Sequence, residues 1–211
     1  MEEEELINFF NDQGFLVFEH ILQLKIIHDT YINGMKMFRD VTSNIETNGL
    51  HFGIGVKNGF NEIVQRQLNR FEMQYNLDAL NLNQIFENNN LRSIVGGVLH
   101  SPKFDIISKS LVISLPGCES QSWHSDGPHL DLEKHLPCHC LNVFIPLIDV
   151  SLSHGPTELR PSSHIYTRDL AKLYLLAHVK KEVKPNVAPT LSKGSVLMVC
   201  SSYFSEHFTT T

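Results

Sequence analysis

Apolar and polar positions along the chain change rhythm near Ser101. Before it, helical spacing dominates. Glu5-Leu6-Ile7-Asn8-Phe9-Phe10 predicts a short helix that stops before Gly14, and the compact run Phe15–Phe18 predicts a strand directly after the glycine. Over residues 22–38, Leu22, Ile26, Ile27, Tyr31, Met35 and Phe38 fall near one helical face, which predicts a long amphipathic helix packed on a sheet. Asn61–Gln74 and Asn81–Leu99 carry further helical patterns, the second broken at Asn88-Asn89-Asn90. Gly49–Gly59 is glycine-rich but lacks the full dinucleotide fingerprint and its βαβ context, so it predicts loop and short strand.

After Ser101 short strands take over. Ile107–Leu115 places Leu111, Ile113 and Leu115 in alternation and ends at Pro116-Gly117. Leu141–Ile148, Thr157–Leu159 and Ser195–Cys200 predict further strands between Pro, Gly and Ser turns, and Asp169–His178 predicts one more helix. No internal repeat or low-complexity linker divides the chain. A helix-rich stretch over 1–100 followed by short strands over 101–211 predicts a single α+β domain across residues 1–211, with a sandwich or barrel at its centre.

Composition narrows the partners. With 42% hydrophobic and 19% charged residues the chain reads as a globular protein, and a formal charge of -6 argues against nucleic acid or an anionic membrane surface. No apolar run approaches the roughly 20 residues that span a bilayer, and the chain opens on Met-Glu-Glu-Glu-Glu, the reverse of a basic signal-peptide start. A cytoplasmic protein acting on small molecules is the expectation. Cys118, Cys138, Cys140 and Cys200 have no disulfide-framework spacing and are expected as free thiols. Cys138-His139-Cys140 lacks both the usual gap between zinc-binding cysteines and a second pair, which argues against a zinc finger.

The stretch Gln121-Ser122-Trp123-His124-Ser125-Asp126-Gly127-Pro128-His129-Leu130-Asp131 holds the pattern His-any-Asp twice. On a strand, residues two apart project to one face, so His124 and Asp126 would aim an imidazole and a carboxylate at one cation. Gln121–Trp123 is the expected strand lead-in, and Gly127-Pro128 turns the chain away afterwards. His129 and Asp131 lie beyond that turn and read as surface loop residues, as do His135, His139 and His154.

A second stretch, His154-Gly155-Pro156-Thr157-Glu158-Leu159-Arg160-Pro161-Ser162-Ser163-His164, completes an ordered set. Trp-His-x-Asp-Gly-Pro, the strand Asn142-Val143-Phe144-Ile145-Pro146-Leu147, then Gly-Pro-Thr-Glu and Pro-Ser-Ser-His together resemble the phytanoyl-CoA dioxygenase-like family of iron(II) and 2-oxoglutarate dependent oxygenases. Phe9–Val17 is similar to that family's amino-terminal helix, glycine and strand, so the resemblance runs from about residue 6 to Val199. It implies a double-stranded β-helix of the jelly-roll or cupin type, with iron held by two His and one carboxylate on one triangular face. The other three positions would serve 2-oxoglutarate and O2, and a small-molecule C–H bond would be hydroxylated with release of succinate and carbon dioxide.

The same resemblance implies a third iron ligand after the turn Lys193-Gly194-Ser195-Val196, and an Arg a few residues later that grips the distal carboxylate of 2-oxoglutarate. His207 is the only His after Gly194, about two residues later than the family spacing, and neither Arg nor Lys follows it. Three readings stay open: His207 completes the triad through a bulge, the carboxy-terminal end is truncated or atypical and the site incomplete, or another His such as His164 completes it. Arg160 is the candidate replacement cation, weighed against an outward-facing surface arginine. Asn142 and Phe144, the latter where relatives often carry Trp, are candidates to line the 2-oxoglutarate pocket. Ser162 stands where many relatives have Gly, which implies an altered turn. Trp123 is expected in the barrel wall. The alternatives in function are a catalytically silent binding or regulatory member of the fold, and a cupin-type zinc or iron enzyme without 2-oxoglutarate.

Overall fold

The computed structural model of the chain describes residues 3–50, 63–74, 77–80, 82–167, 179 and 185–202, together with the backbone of 204–207. Helix α1 spans Glu3–Gln13, with Glu3, Glu4 and Glu5 in its first turn, where carboxylates complement the exposed N–H groups. Phe10, 1% exposed, ties it to the core. Gly14 takes a left-handed φ of 81°, and the chain turns into β1, Phe15–Phe18, as the pattern predicts. Helix α2, Leu24–Thr47, is longer than the expected element, and its buried stripe runs through Ile27, Thr30, Gly34, Phe38 and Ile45. Ile27 joins one hydrophobic core and Phe38 with Ile45 joins another, so this one helix spans both.

Asn61–Gln74 is not a helix. It forms a hairpin of β2, Ile63–Gln67, and β3, Arg70–Met73, extended by β4, Leu111–Ser114. Asn69 turns the hairpin at φ 59°, a conformation Asn tolerates, and its amide donates to the Pro116 carbonyl at 2.9 Å while its own carbonyl accepts from Leu115 N at 2.8 Å. Pairing to β4 and burial of Ile63, Phe71, Met73 and Ile113 against α2 override the helix-like spacing. Helices α3, Asn83–Phe86, and α4, Asn89–Val98, keep the expected break: the Asn88 side chain caps α4 by accepting from Leu91 N at 3.0 Å.

The remaining strands are β5, His124–Ser125; β6, Leu141–Phe144; β7, Thr157–Leu159; β8, Val196–Cys200; and β9, Phe204–His207. They form two antiparallel sheets of order β1-β8-β6 and β5-β9-β7, alongside the sheet β2-β3-β4. Every residue of β8 is buried, and with Phe10, Leu16, Ile27, Leu91 and Val98 it makes the larger core. The architecture is therefore α+β with antiparallel sheets. Gln121–Trp123 carries no strand, so the lead-in to His124 is shorter than expected. The predicted helix Asp169–His178 and most of Gly49–Gly59 lie outside the described residues. No helix among the described residues is long and apolar enough to cross a membrane.

Candidate functional site

His124 starts β5, and the chain leaves the strand at Asp126. Gly127 lies in close approach to the chain after β8: a Cβ there would stand 3.0 Å from Ser201 Cβ, tighter than an ordinary contact. Its N–H donates to the Ser201 carbonyl at 2.6 Å, and Ser125 Oγ, 2.7 Å from the Gly127 carbonyl and 3.2 Å from that of Ser201, shares its hydrogen between them. This anchoring beside β8 directs the side chains of His124 and Asp126 toward each other, with Nε2 and Oδ1 3.1 Å apart.

His124 Nδ1 lies 2.8 Å from the Ser122 carbonyl, which only accepts, so Nδ1 carries the hydrogen. Nε2 therefore faces the Asp126 carboxylate either with a second proton or with a lone pair, and a lone pair against a carboxylate oxygen requires a cation between them. The imidazole pKa is accordingly raised, chiefly by the Asp126 hydrogen bond, against partial burial and the positive charge of Arg70. Two neighbouring ligands of an octahedral ion at roughly 2.1 Å stand roughly 3.0 Å apart. The observed separation matches that demand. Asn142 Nδ2 donates to Asp126 Oδ2 at 2.5 Å, fixing the carboxylate from the neighbouring sheet and leaving Oδ1 for His124.

Among the described residues no set of three His, Cys, Asp or Glu side chains is arranged to hold a metal. That removes the triad completed by His164, which is 2% exposed and has Nε2 3.1 Å from the Asn11 carbonyl. The His207 side chain lies outside the described residues. Its backbone pairs with Thr157, while Ser205 pairs with both His124 and Leu159. Alternate residues of a strand share a face, so positions 124, 205 and 207 belong to one face of the sheet. The second His-any-Asp pair does not assemble: Asp131 Oδ1 accepts from Glu133 N and Lys134 N in a local turn, and those bonds lower its pKa.

Arg160 is not turned to solvent. Its guanidinium stacks over the Trp123 ring, 3.8 Å from the centroid, and so braces the residue before His124. Phe144 is half-buried against the larger core, two residues along β6 from Asn142. The site also contains a residue that sequence reasoning missed. Arg70 on β3 is 3% exposed, donates Nε to Cys118 Sγ at 3.2 Å and Nη1 to Gln121 Oε1 at 2.7 Å, and has no carboxylate partner among the described residues. Its charge reaches His124. The one available signal was an Arg in an apolar alternation, hidden once the segment was read as helix.

Residues 10–202 match the family model for phytanoyl-CoA dioxygenase. The chain belongs to the phytanoyl-CoA dioxygenase family. Solved structures agree in fold. AviO1 from Streptomyces viridochromogenes has a TM-score of 0.69 at 17% identity, over 99% of this chain and 88% of that one. SnoK, an alpha-ketoglutarate dependent carbocyclase from nogalamycin biosynthesis, has a TM-score of 0.63 at 16% identity, over 99% and 78%. EctD from S. alaskensis, solved with 2-oxoglutarate and 5-hydroxyectoine, has a TM-score of 0.62 at 16% identity, over 100% and 71%, and another EctD structure carries Fe. The family resemblance read from His124–Gly127 and Gly155–His164 therefore holds.

Proposed function

We propose that this chain is an iron(II) and 2-oxoglutarate dependent oxygenase that hydroxylates a small-molecule C–H bond, on a double-stranded β-helix formed within one domain over residues 1–211. The observation that carries the reading is the 3.1 Å approach of His124 Nε2 to Asp126 Oδ1, with Nδ1 and Oδ2 each held by another group. Bound iron with 2-oxoglutarate would supply activation of O2 coupled to release of succinate and carbon dioxide. His124 and Asp126 would hold the metal, with His207 as the third ligand. Asn142 positions the Asp126 carboxylate, and Phe144 forms apolar wall beside it.

Arg70 supplies a counter-charge for the keto acid. A buried guanidinium among neutral partners carries a desolvation cost that an incoming carboxylate offsets, and its fork suits a bidentate grip. The keto acid's distal carboxylate has that chemistry. Arg160, stacked on Trp123, braces the residue that precedes His124.

The test is anaerobic titration with iron(II) and 2-oxoglutarate, following the visible charge-transfer band of the chelated keto acid. The band is expected in the native chain and in Arg160→Gln, absent in His124→Ala, and shifted to higher 2-oxoglutarate concentration in Arg70→Gln. Iron binding without any band would leave a silent member of the fold acting as a binding protein. Failure to bind iron at all would overturn the assignment.

A further inference from the structure

Asp126 stands between two residues that donate to the same carbonyl. Gly127 N donates to the Ser201 oxygen at 2.6 Å, and Ser125 Oγ reaches that oxygen at 3.2 Å. On its other side Ser201 donates its own N–H to the Cys140 carbonyl at 3.0 Å. Cys140 leads straight into β6, where Leu141 pairs with Cys200 and Asn142 donates to Asp126 Oδ2 at 2.5 Å. Asp126 and the residue that fixes its carboxylate are thus both tied to the main chain of Ser201, which is 4% exposed.

The Ser201 side chain contributes size. Its Oγ is buried and makes no hydrogen bond among the described residues. A Cβ on Gly127 would stand 3.0 Å from Ser201 Cβ and 3.1 Å from its Oγ. Gly127 does not occupy the left-handed region, so a side chain there would meet this contact and no backbone strain. Ser201 cannot retreat from it without disturbing the hydrogen bond to Gly127 or the one to Cys140.

We propose that Ser201 is a positioning residue for the metal pair: its main chain sets where Asp126 stands relative to Asn142, and the room between residues 127 and 201 governs how tightly iron(II) is held. The role rests on the reading of His124 and Asp126 as iron ligands. Its physical link is short, because any shift of Gly127 moves the neighbouring Asp126, and groups that hold a metal must stay within about 0.5 Å of their working geometry.

Three variants of the full chain test it: Gly127→Ala, Ser201→Gly and the two combined. Ser201→Gly keeps both main-chain hydrogen bonds and removes the two atoms that crowd position 127. In anaerobic iron(II) titrations Gly127→Ala is expected to bind about 10–100-fold more weakly than the parent, Ser201→Gly within about threefold of it, and the double variant at the level of Ser201→Gly. Hydrogen exchange at the amides of residues 127 and 201, followed by NMR with a chelator present, reads the same clasp without metal. Protection should be lost in Gly127→Ala and regained in the double variant. Parent-like iron affinity in Gly127→Ala, or a double variant as weak as Gly127→Ala, overturns this role alone. A parent chain that takes up no iron overturns the oxygenase reading first, and this role with it. If Gly127→Ala does not fold, Ser125→Ala carries the measurement: iron binding about 2–10-fold weaker supports the role, and parent affinity overturns it.

Discussion

In the sheet β1-β8-β6 all five residues of the central strand are buried, from Val196 to Cys200, whereas in β5-β9-β7 the strand that carries His124 has two residues, both half-buried. The first sheet pairs β8 with four residues of β1 and four of β6 in unbroken register, and its side chains fill the larger core. The second is short, partly open, and keeps an imidazole and a carboxylate within hydrogen-bond reach. The difference teaches how the molecule divides its tasks. Apolar burial on one sheet stabilises the frame, and the open sheet can then hold polar groups whose own pairing adds little to stability.

The comparison breaks most sharply at Met198, fully buried at the middle of β8. Met198→Ala should cost about 2–5 kcal/mol, read as a lower denaturant midpoint, while iron(II) affinity measured under native conditions stays close to that of the parent. A comparable loss of iron affinity would mean that the two sheets are one functional unit.

Acid probes the border between them, where the Pro161–Tyr166 turn packs on α1. Burial lowers His164 to about 4, and His135, 5.3 Å away ring to ring, and His129 push the same way, against the Asn11 carbonyl and Asp12. Above pH 6.5 both folded and unfolded chains hold a neutral His164. As pH falls from 6.5 toward 4 the unfolded chain takes up a proton that the folded chain refuses, so stability drops with pH, by about 3 kcal/mol once pH is below 4. His164→Gln should flatten that part of the profile in denaturation series at pH 7, 5.5 and 4. An unchanged slope would show that the proton is taken up elsewhere.

A smaller effect sharpens the contrast from the open side. Asn142→Ala removes the hydrogen bond that crosses from β6 to Asp126, and should weaken iron(II) binding about 10–100-fold with less than about 1 kcal/mol change in stability. Isothermal titration and a denaturant curve on the same variant decide it; a large stability loss with unchanged iron affinity would make Asn142 a frame residue.

Much of the frame was legible because local periodicity and turn residues encode it. Glu5–Phe10, Phe15–Phe18, the Asn88 break and the short strands near 141–144, 157–159 and 196–200 all follow from spacing and from punctuation by Gly, Pro and Asn. Asn61–Gln74 was misread because its apolar residues suit a helix as well as a hairpin, and only pairing with β4 selects the hairpin. That error concealed Arg70, whose burial depends on β3 lying beside Cys118 and Gln121, about fifty positions later in the chain. Ser162 shows a subtler limit. The turn keeps a left-handed φ of 65° without glycine, and its hydroxyl donates to the Asp12 carbonyl at 2.8 Å, a contact with α1 that no local pattern announces.

By itself the sequence determined much of the order of elements, with the hairpin of β2 and β3 excepted, the likeness to an oxygenase family and the pairing of His124 with Asp126, because each rests on residues close together along the chain. Tertiary structure decided that Asn142 holds Asp126, that Arg160 stacks on Trp123 rather than facing water, and that Arg70 lies buried against Cys118 and Gln121 with its charge felt at His124. Each of those joins residues distant in sequence, and only packing the sheets together brings such groups within a few ångströms.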